Sequence, residues 1–519
     1  MKNRSLPVIL FLCFLPVASG AAVPDSLQKV SLQSYELFVL LHPWLQTTNP
    51  AGLSFNTCDL PVKAGFQGIH RQGDFKRVQE GSALNYAGAS SEAYSTVHGN
   101  RLYGSFTYEN SLEKDLAYSN SSDPYRGTPY GYIDTIGGDH YNREFFRLRG
   151  ALSRSLGSSL LIGGACDYNV GVAVQGNDPR PENYVLDMTT RAGVIFAPGK
   201  IRIGLDLFHS YYNEQIDVDI VKENATMTMF RLLGPGVFMY HEAGTFNRQY
   251  KRNGNGADFQ LNFSPANADL LLGARGTYFN ESVQDGGKGG DASWIYLRNL
   301  AMLTGLDWHF YSNLQIRNNQ NRHLLHLYLD LVSTLGTEII EHLDPAGSLD
   351  ELNWTFYLYD EKYGSRKTGL GVSYTFMTLQ EQLLSDYRLT LSGNYNSFTE
   401  DYYLPDQHQD WSHILINVEG SKTFRLGRAI LSLSAGVGFK KNLGGIQDFE
   451  RSNFLVEKLL RPDFLFYTTD YYAPELGITF EKDVKRILSG IYIDTRFSRI
   501  EAADGRSMTT SRAGIGLIF

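Results

Sequence analysis

Cysteine is almost missing: the 519 residues contain 3. One of them, Cys13, lies in an apolar leader, so only Cys58 and Cys166 remain, too few for a disulfide framework. They either pair after export or stand as isolated thiols. Tryptophan is also scarce, with 5 against 32 Tyr and 30 Phe. Basic residues give no stripe and are outnumbered, 47 to 55, for a net charge of −8. That balance excludes nucleic acid as a partner. Past the leader no run reaches about eighteen apolar residues, which excludes a membrane-spanning helix. No Pro/Ser-rich tract, charge block or low-complexity segment divides the chain into domains.

The leader is itself informative. Lys2 and Arg4 precede the apolar VILFLCFLPVA, and the small residues Ala18, Ser19, Gly20, Ala21 and Ala22 follow. Residues 1–22 therefore read as a secretory signal peptide, too short to be a spanning helix. Leu10, Phe11 and Leu12 before Cys13 do not make a lipidation site, which needs a small residue directly before the cysteine.

What the exported chain has in abundance is alternation. In AILSLSAGVGFK, Ala429, Leu431, Leu433, Ala435, Val437 and Phe439 share one side, and Ser432, Ser434, Gly436, Gly438 and Lys440 share the other. The same period of two runs through YVLDMTTRAGVIF, KIRIGLDLF, HLLHLYLDLV, DYRLTLSGNYNSF and GIYIDTRF. Stretches of this length fit a tilted strand that crosses hydrocarbon in about 9–11 residues. A soluble sandwich strand is nearer 5 or 6. The polar sides carry Asp187, Arg191, Arg202, Asp206, His326, Asp330, Arg388, Asp494 and Arg496. An arginine turned toward lipid at mid-depth costs about 2–4 kcal/mol, and toward a wet lumen little. The register is thus apolar side out, charged side in, and these nine are the candidate lumen-lining residues. They either line a pore or neutralise one another in a filled lumen.

Connections give an independent signal. Short turns such as LGSS, APGK, SPANA and RLGR alternate with longer polar stretches. The longer ones are GNDPRPEN, residues 221–250, ESVQDGGKGGD, TEDYYLPDQHQD and residues 441–464. Short turns at one end and long loops at the other characterise a membrane barrel. The expectation is an all-β, transmembrane, antiparallel up-and-down barrel over residues 59–519. About 18 strands are expected, within a range of 14–18, because 350–385 reads as one strand or two. Short turns should be periplasmic and long loops external. Residues 23–58 lack clean alternation and read as an N-terminal periplasmic arm or plug.

Motifs for chemistry are weak. The GxG pairs in TGLGVSY, AGVGFKK and AGIGLIF lie inside strands, not at the strand-to-helix junction a phosphate loop needs. His323 and His326 point to opposite faces of one strand and cannot share a metal. His326 and Asp330 share a face but stand roughly 13 Å apart. There is no GxSxG elbow. No catalytic, cofactor or metal site is assigned, and the chain is not read as an enzyme.

The ending SRAGIGLIF resembles the C-terminal signal of bacterial outer-membrane barrels. Phe519, Leu517 and Ile515 match it, while Ala513 stands where larger apolar residues are usual. That resemblance implies recognition by the barrel-assembly machinery and a place among outer-membrane lipid after signal-peptide cleavage. GDFKRVQEGS and RLYGSFTYEN resemble the N-terminal strands of a large, uncharacterised outer-membrane β-barrel family (a domain of unknown function) of Gram-negative bacteria. That family carries no assigned activity. Over five or six residues, TNPAGLSF resembles the N-terminal region of long-chain fatty-acid transporter barrels and of a related barrel that shuttles secreted proteins. The expected function is a channel or transporter for small molecules, because a barrel this wide encloses space unless plugged. The alternative is a non-conducting scaffold for partner lipoproteins or secreted surface proteins, with a barrel hydrolase third.

Overall fold

The computed structural model describes residues 31–56, 62–134, 137–220, 227–243, 245–288, 295–343, 354–381, 384–450, 452–484 and 490–519. The leader, Cys58 and the end of ESVQDGGKGGD lie outside them. In chain order the first strands are β1 (Lys63–Gly73), β2 (Ala83–Val97), β3 (Asn100–Ala117), β4 (Tyr132–Asp134), β5 (Gly137–Leu156), β6 (Leu160–Gln175) and β7 (Arg180–Phe196). Then come β8 (Ile201–Asp219), β9 (Met227–Gly234), β10 (Val237–Ala243), β11 (Thr245–Phe263), β12 (Ala268–Lys288), β13 (Ile295–Asn318) and β14 (Asn321–Leu343). The last are β15 (Trp354–Glu381), β16 (Leu384–Tyr403), β17 (Asp406–Leu426), β18 (Ala429–Phe449), β19 (Tyr471–Asp483), β20 (Gly490–Ala502) and β21 (Ser507–Ile518). Two helices, α1 (Leu32–Leu40) and α2 (Arg461–Thr468), complete the set used below.

All strands except β4, β9 and β10 form one antiparallel sheet of 18. It closes because β1 pairs with β2 on one side and β21 on the other, from Lys63↔Ile518 to Gly73↔Met508. Closure leaves no open edge, and each wall strand pairs with a neighbour on both sides along most of its length, as hydrocarbon demands. The eighteen-strand expectation holds, and among the described residues of 350–385 one strand, β15, spans Trp354–Glu381 before β16 starts at Leu384.

Alternation sets the two faces. On β8, Ile201, Ile203, Leu205 and Leu207 are 41–54 % exposed on the outside, while Asp206 between them is fully buried on the inside. Cys166 is a free, exposed thiol that shares the outward face of β6 with Ile162 and Tyr168. At the inner end, beside Phe519, the connections are tight, two residues between β2 and β3 and between β17 and β18.

At the other end the expected long loops are mostly strand, and this corrects the reading of GNDPRPEN and TEDYYLPDQHQD. Four residues separate β6 from β7, and only Leu404 and Pro405 separate β16 from β17. β12 runs to Lys288 and β18 to Phe449. The ladder carries on beyond the membrane because paired backbones remain satisfied there. Side chains above the hydrocarbon face water on both sides, so the apolar period fades although the strand does not.

Two structures occupy the barrel's ends. Over the outer mouth, β4, β9 and β10 form a small sheet. Tyr130, Tyr132, Met229 and Leu233 of this cap pack on Tyr363 and Tyr402 of the wall. Leu455 and Leu459, just before α2, pack on Ile133 and Phe230. Toward the inner end lies the segment 31–56. Ser31 caps α1 by accepting from the Ser34 amide at 2.9 Å. Asn49 caps the 3-10 helix Pro50–Phe55 in the same way, accepting from the Ala51 amide at 3.0 Å. Local chemistry thus folds both turns before the wall is considered.

Candidate functional site

The segment 31–56 meets two distant parts of the wall. At its start, the Leu32 amide donates to Glu481 of β19 at 2.9 Å. The Gln33 side chain donates to Ser385 of β16 at 2.8 Å and Thr423 of β17 at 3.0 Å. Leu37 packs on Met377 and Leu379 of β15. At its far end the Trp44 indole N–H donates to Asn262 at 3.1 Å and Asn49 Nδ2 to Gln260 at 3.0 Å. Thr48 Oγ1 donates to Asp206 at 3.2 Å and Asp258 at 3.1 Å. Ser153 of β5 donates to the Ala51 carbonyl at 3.1 Å. Asp206, Asp258, Gln260 and Asn262 belong to β8 and β11, several strands from β15–β19 in either direction around the ring. A chain held to inward groups on both sides must cross the lumen.

Two glycines make the crossing possible. A Cβ on Gly163 would come within 2.5 Å of the Ala51 backbone, and one on Gly193 would overlap Asn49 Oδ1. The bare inward face of β6 and β7 at these points is a groove for residues 49–51.

The nine sequence candidates lie on the inward face, in different company. Arg191 and Asp206 form an ion pair at 3.2 Å, with Arg191 4.6 Å above the Phe208 ring. Arg202 donates to Asn262 at 3.2 Å and covers Phe55 at 4.6 Å. These three therefore belong to the seat of the segment. Asp330 pairs with His309 at 2.5 Å, and His326 with Asn313. Arg496 pairs with Glu475 at 3.2 Å, and Asp494 with Arg512 at 3.7 Å. Arg388 and Glu419 border the space beside α1. Asp187 faces a cavity of about 450 Å³ beneath the cap, with Arg147 and Arg252. His323 sits on the opposite face from His326, against Tyr374 at 2.8 Å.

Sequence reasoning missed Asp258, Gln260 and Asn262, whose signal was present: they alternate with Phe259, Leu261 and Phe263. It also missed the polar latch of the cap. Arg126 ion-pairs with Glu281 and lies 3.8 Å from Glu214, between the rings of Tyr250 and Tyr212. Arg248, fully buried, grips Asp285 with two bonds of 2.6 and 2.8 Å and donates to the Tyr130 and Gly131 carbonyls. No periodic pattern marks these, because their partners come from separate loops and strand ends. Outside the membrane, Asp463 of α2 accepts from the Val78 amide at 2.7 Å and the Tyr125 hydroxyl at 3.0 Å. Burial pushes its carboxyl up to about 6.

At the closing strand, Ile515 and Phe519 are exposed on the outer face. Ile518 turns inward and is buried against Leu32 and Tyr492.

No curated protein matches the chain. Solved structures similar to it include the copper transporter OprC, 8 % identical, covering 88 % of this chain and 81 % of that one with a TM-score of 0.40. BauA, the ferric preacinetobactin receptor from Acinetobacter baumannii, is 10 % identical and covers 89 % and 80 %, with a TM-score of 0.40. The ferric-catecholate import receptor Fiu from E. coli K12 is 11 % identical and covers 88 % and 82 %, with a TM-score of 0.38. The protein is a closed eighteen-stranded β-barrel, and with a match over residues 50–519 it belongs to the family of unknown function DUF6850.

Proposed function

We propose that this barrel is a gated passage for small polar solutes across the outer membrane, held shut at rest by the segment 31–56 and by the outer cap. In this reading residues 1–22 are cleaved on export. The barrel-assembly machinery reads Ile515, Leu517 and Phe519, and 23–58 act as a plug. The observation that carries the reading is how the segment is held. Beside apolar contacts of Leu37 on Met377 and Leu379 and of Trp44 and Ala51 on Leu161, Ile195 and Leu271, its anchors across the lumen are single hydrogen bonds to polar wall groups, such as Thr48 to Asp206 and Gln33 to Ser385. Each is worth about 0.5–1.5 kcal/mol net, and water can replace them one at a time. A barrel of eighteen strands without a plug is wide enough for an aqueous channel.

Conductance in a planar bilayer tests this. The intact chain should give a nearly silent membrane, and a variant lacking 31–56 a steady open current. A variant that inserts as a heat-modifiable barrel yet stays silent would refute the passage reading. It would favour the scaffold, for which the exposed Leu404, Tyr240 and Leu465 at the outer end offer apolar contact points.

A further inference from the structure

Beside α1 lies a second cavity, of about 500 Å³, between the segment 31–56 and the inward faces of β1, β2, β3, β5 and β6. Its volume lies in the range of small-molecule sites. The segment side mixes apolar Val39, Leu45 and Leu53 with polar Gln46, Thr47 and Thr48. The wall side is aromatic: Tyr94 and Tyr103 have ring centroids 4.7 Å apart, and Tyr35 of α1 extends the row 6.0 Å from Tyr94. Polar groups stand around the rings. Lys63 pairs with Glu92 at 3.4 Å, the Tyr103 hydroxyl donates to Glu92 at 3.3 Å, and the Arg149 guanidinium stands 5.7 Å from the Tyr103 ring centroid. The Tyr35 hydroxyl is fully enclosed, with no hydrogen-bond partner among the described residues.

The charges of the lining decide the class of ligand. Glu36 and Glu92 oppose Lys63 and Arg149, so the cavity has no net charge to select an anion or a cation. Paired acids and bases around aromatic faces suit a molecule that is neutral, has apolar faces and carries donors and acceptors along its edge.

We propose that this cavity binds a neutral polyhydroxylated ring, a mono- or disaccharide. The C–H faces of the sugar lie on Tyr94 and Tyr103. Its hydroxyls donate to Glu92 and accept from Lys63 and Arg149. The inference depends on the passage reading for how the sugar arrives, and names a substrate class for it.

Isothermal titration of the purified full chain in detergent tests the proposal, with maltose and cellobiose as neutral probes and sodium gluconate and sodium benzoate as charged ones. The expected result is saturable heat from at least one sugar with a dissociation constant at or below about 1 mM. Tyr103→Ala should weaken it about fivefold or more. Glu92→Gln, which keeps the rings, should also weaken it, and heat-modifiable migration confirms that each variant is folded. No saturable heat from either sugar overturns the proposal. So does tighter binding of gluconate or benzoate, or unchanged affinity in both folded variants. The two readings fail separately: a silent barrel lacking 31–56 with sugar binding intact in the full chain sinks only the passage. Steady current from that variant with no sugar binding sinks only the saccharide.

Discussion

Replacing Arg126 with Met should unlatch the outer cap. Glu281 and Glu214 are fully buried, and Arg126 reaches the first with two nitrogens, the longer bond at 3.1 Å, and stands 3.8 Å from the second. Removing one partner of a buried pair costs about 3–5 kcal/mol, mostly because the other charge is stranded. Here the lower end applies. Glu281 keeps Arg252 at 3.0 Å. Glu214 keeps the Ser122 amide at 2.7 Å, Asn183 at 2.9 Å and the Tyr212 hydroxyl at 2.8 Å. A loss of about 3 kcal/mol raises the open fraction of the cap roughly a hundredfold. Hydrogen exchange of residues 118–131 reads that fraction directly, since local opening controls exchange. The double variant Arg126→Met/Glu214→Gln removes one stranded charge and should recover part of the protection. Unchanged exchange in the single variant, or a double variant that exchanges faster still, would refute the latch.

Asp463 gives the cap a pH dependence. Its carboxyl is raised by burial from 3.8 to about 6. A raised folded value means that α2 docks best below about pH 4 and loses grip as pH rises through about 6. Relative to the intrinsic exchange rate at each pH, residues 454–468 should be less protected at pH 7.5 than at pH 5, and Asp463→Asn should flatten the difference in protection; equal protection of the parent at both pH values counts against it. Gly193→Val overpacks the groove that holds Asn49, a strain of about 1–3 kcal/mol. It should produce frequent channel openings, and parental silence would show that the segment tolerates the added bulk. Ile515→Arg puts a charge on the lipid face near one end of the strand, at about 0–1 kcal/mol, and should leave the amount of heat-modifiable barrel nearly unchanged. Deleting Phe519 should lower the amount of heat-modifiable barrel in the outer membrane; equal amounts would remove the closing strand from any role in assembly.

Where one face of a strand meets lipid, the sequence was easy to read. Ile201, Ile203, Leu205 and Leu207 against Arg202, Gly204 and Asp206 define a register by themselves, because a one-residue slip would put charges into hydrocarbon. Above the membrane that penalty disappears, and with it the pattern. This is why the paired tips of β16 and β17 read as a loop. Arg126, Glu214 and Glu281 are separated by 88 and 67 residues in sequence and carry no shared motif.

The sequence alone determined the membrane crossing: period, charge placement and the terminal strand require a closed barrel, since no other β structure satisfies its backbone in lipid. The tertiary structure alone decided what fills it. Residues 31–56 show no clean alternation of their own, because their partners are mixed polar and apolar groups on opposite walls. Asp206 and Glu481 become neighbours of one short segment only when eighteen strands have curled round to enclose it.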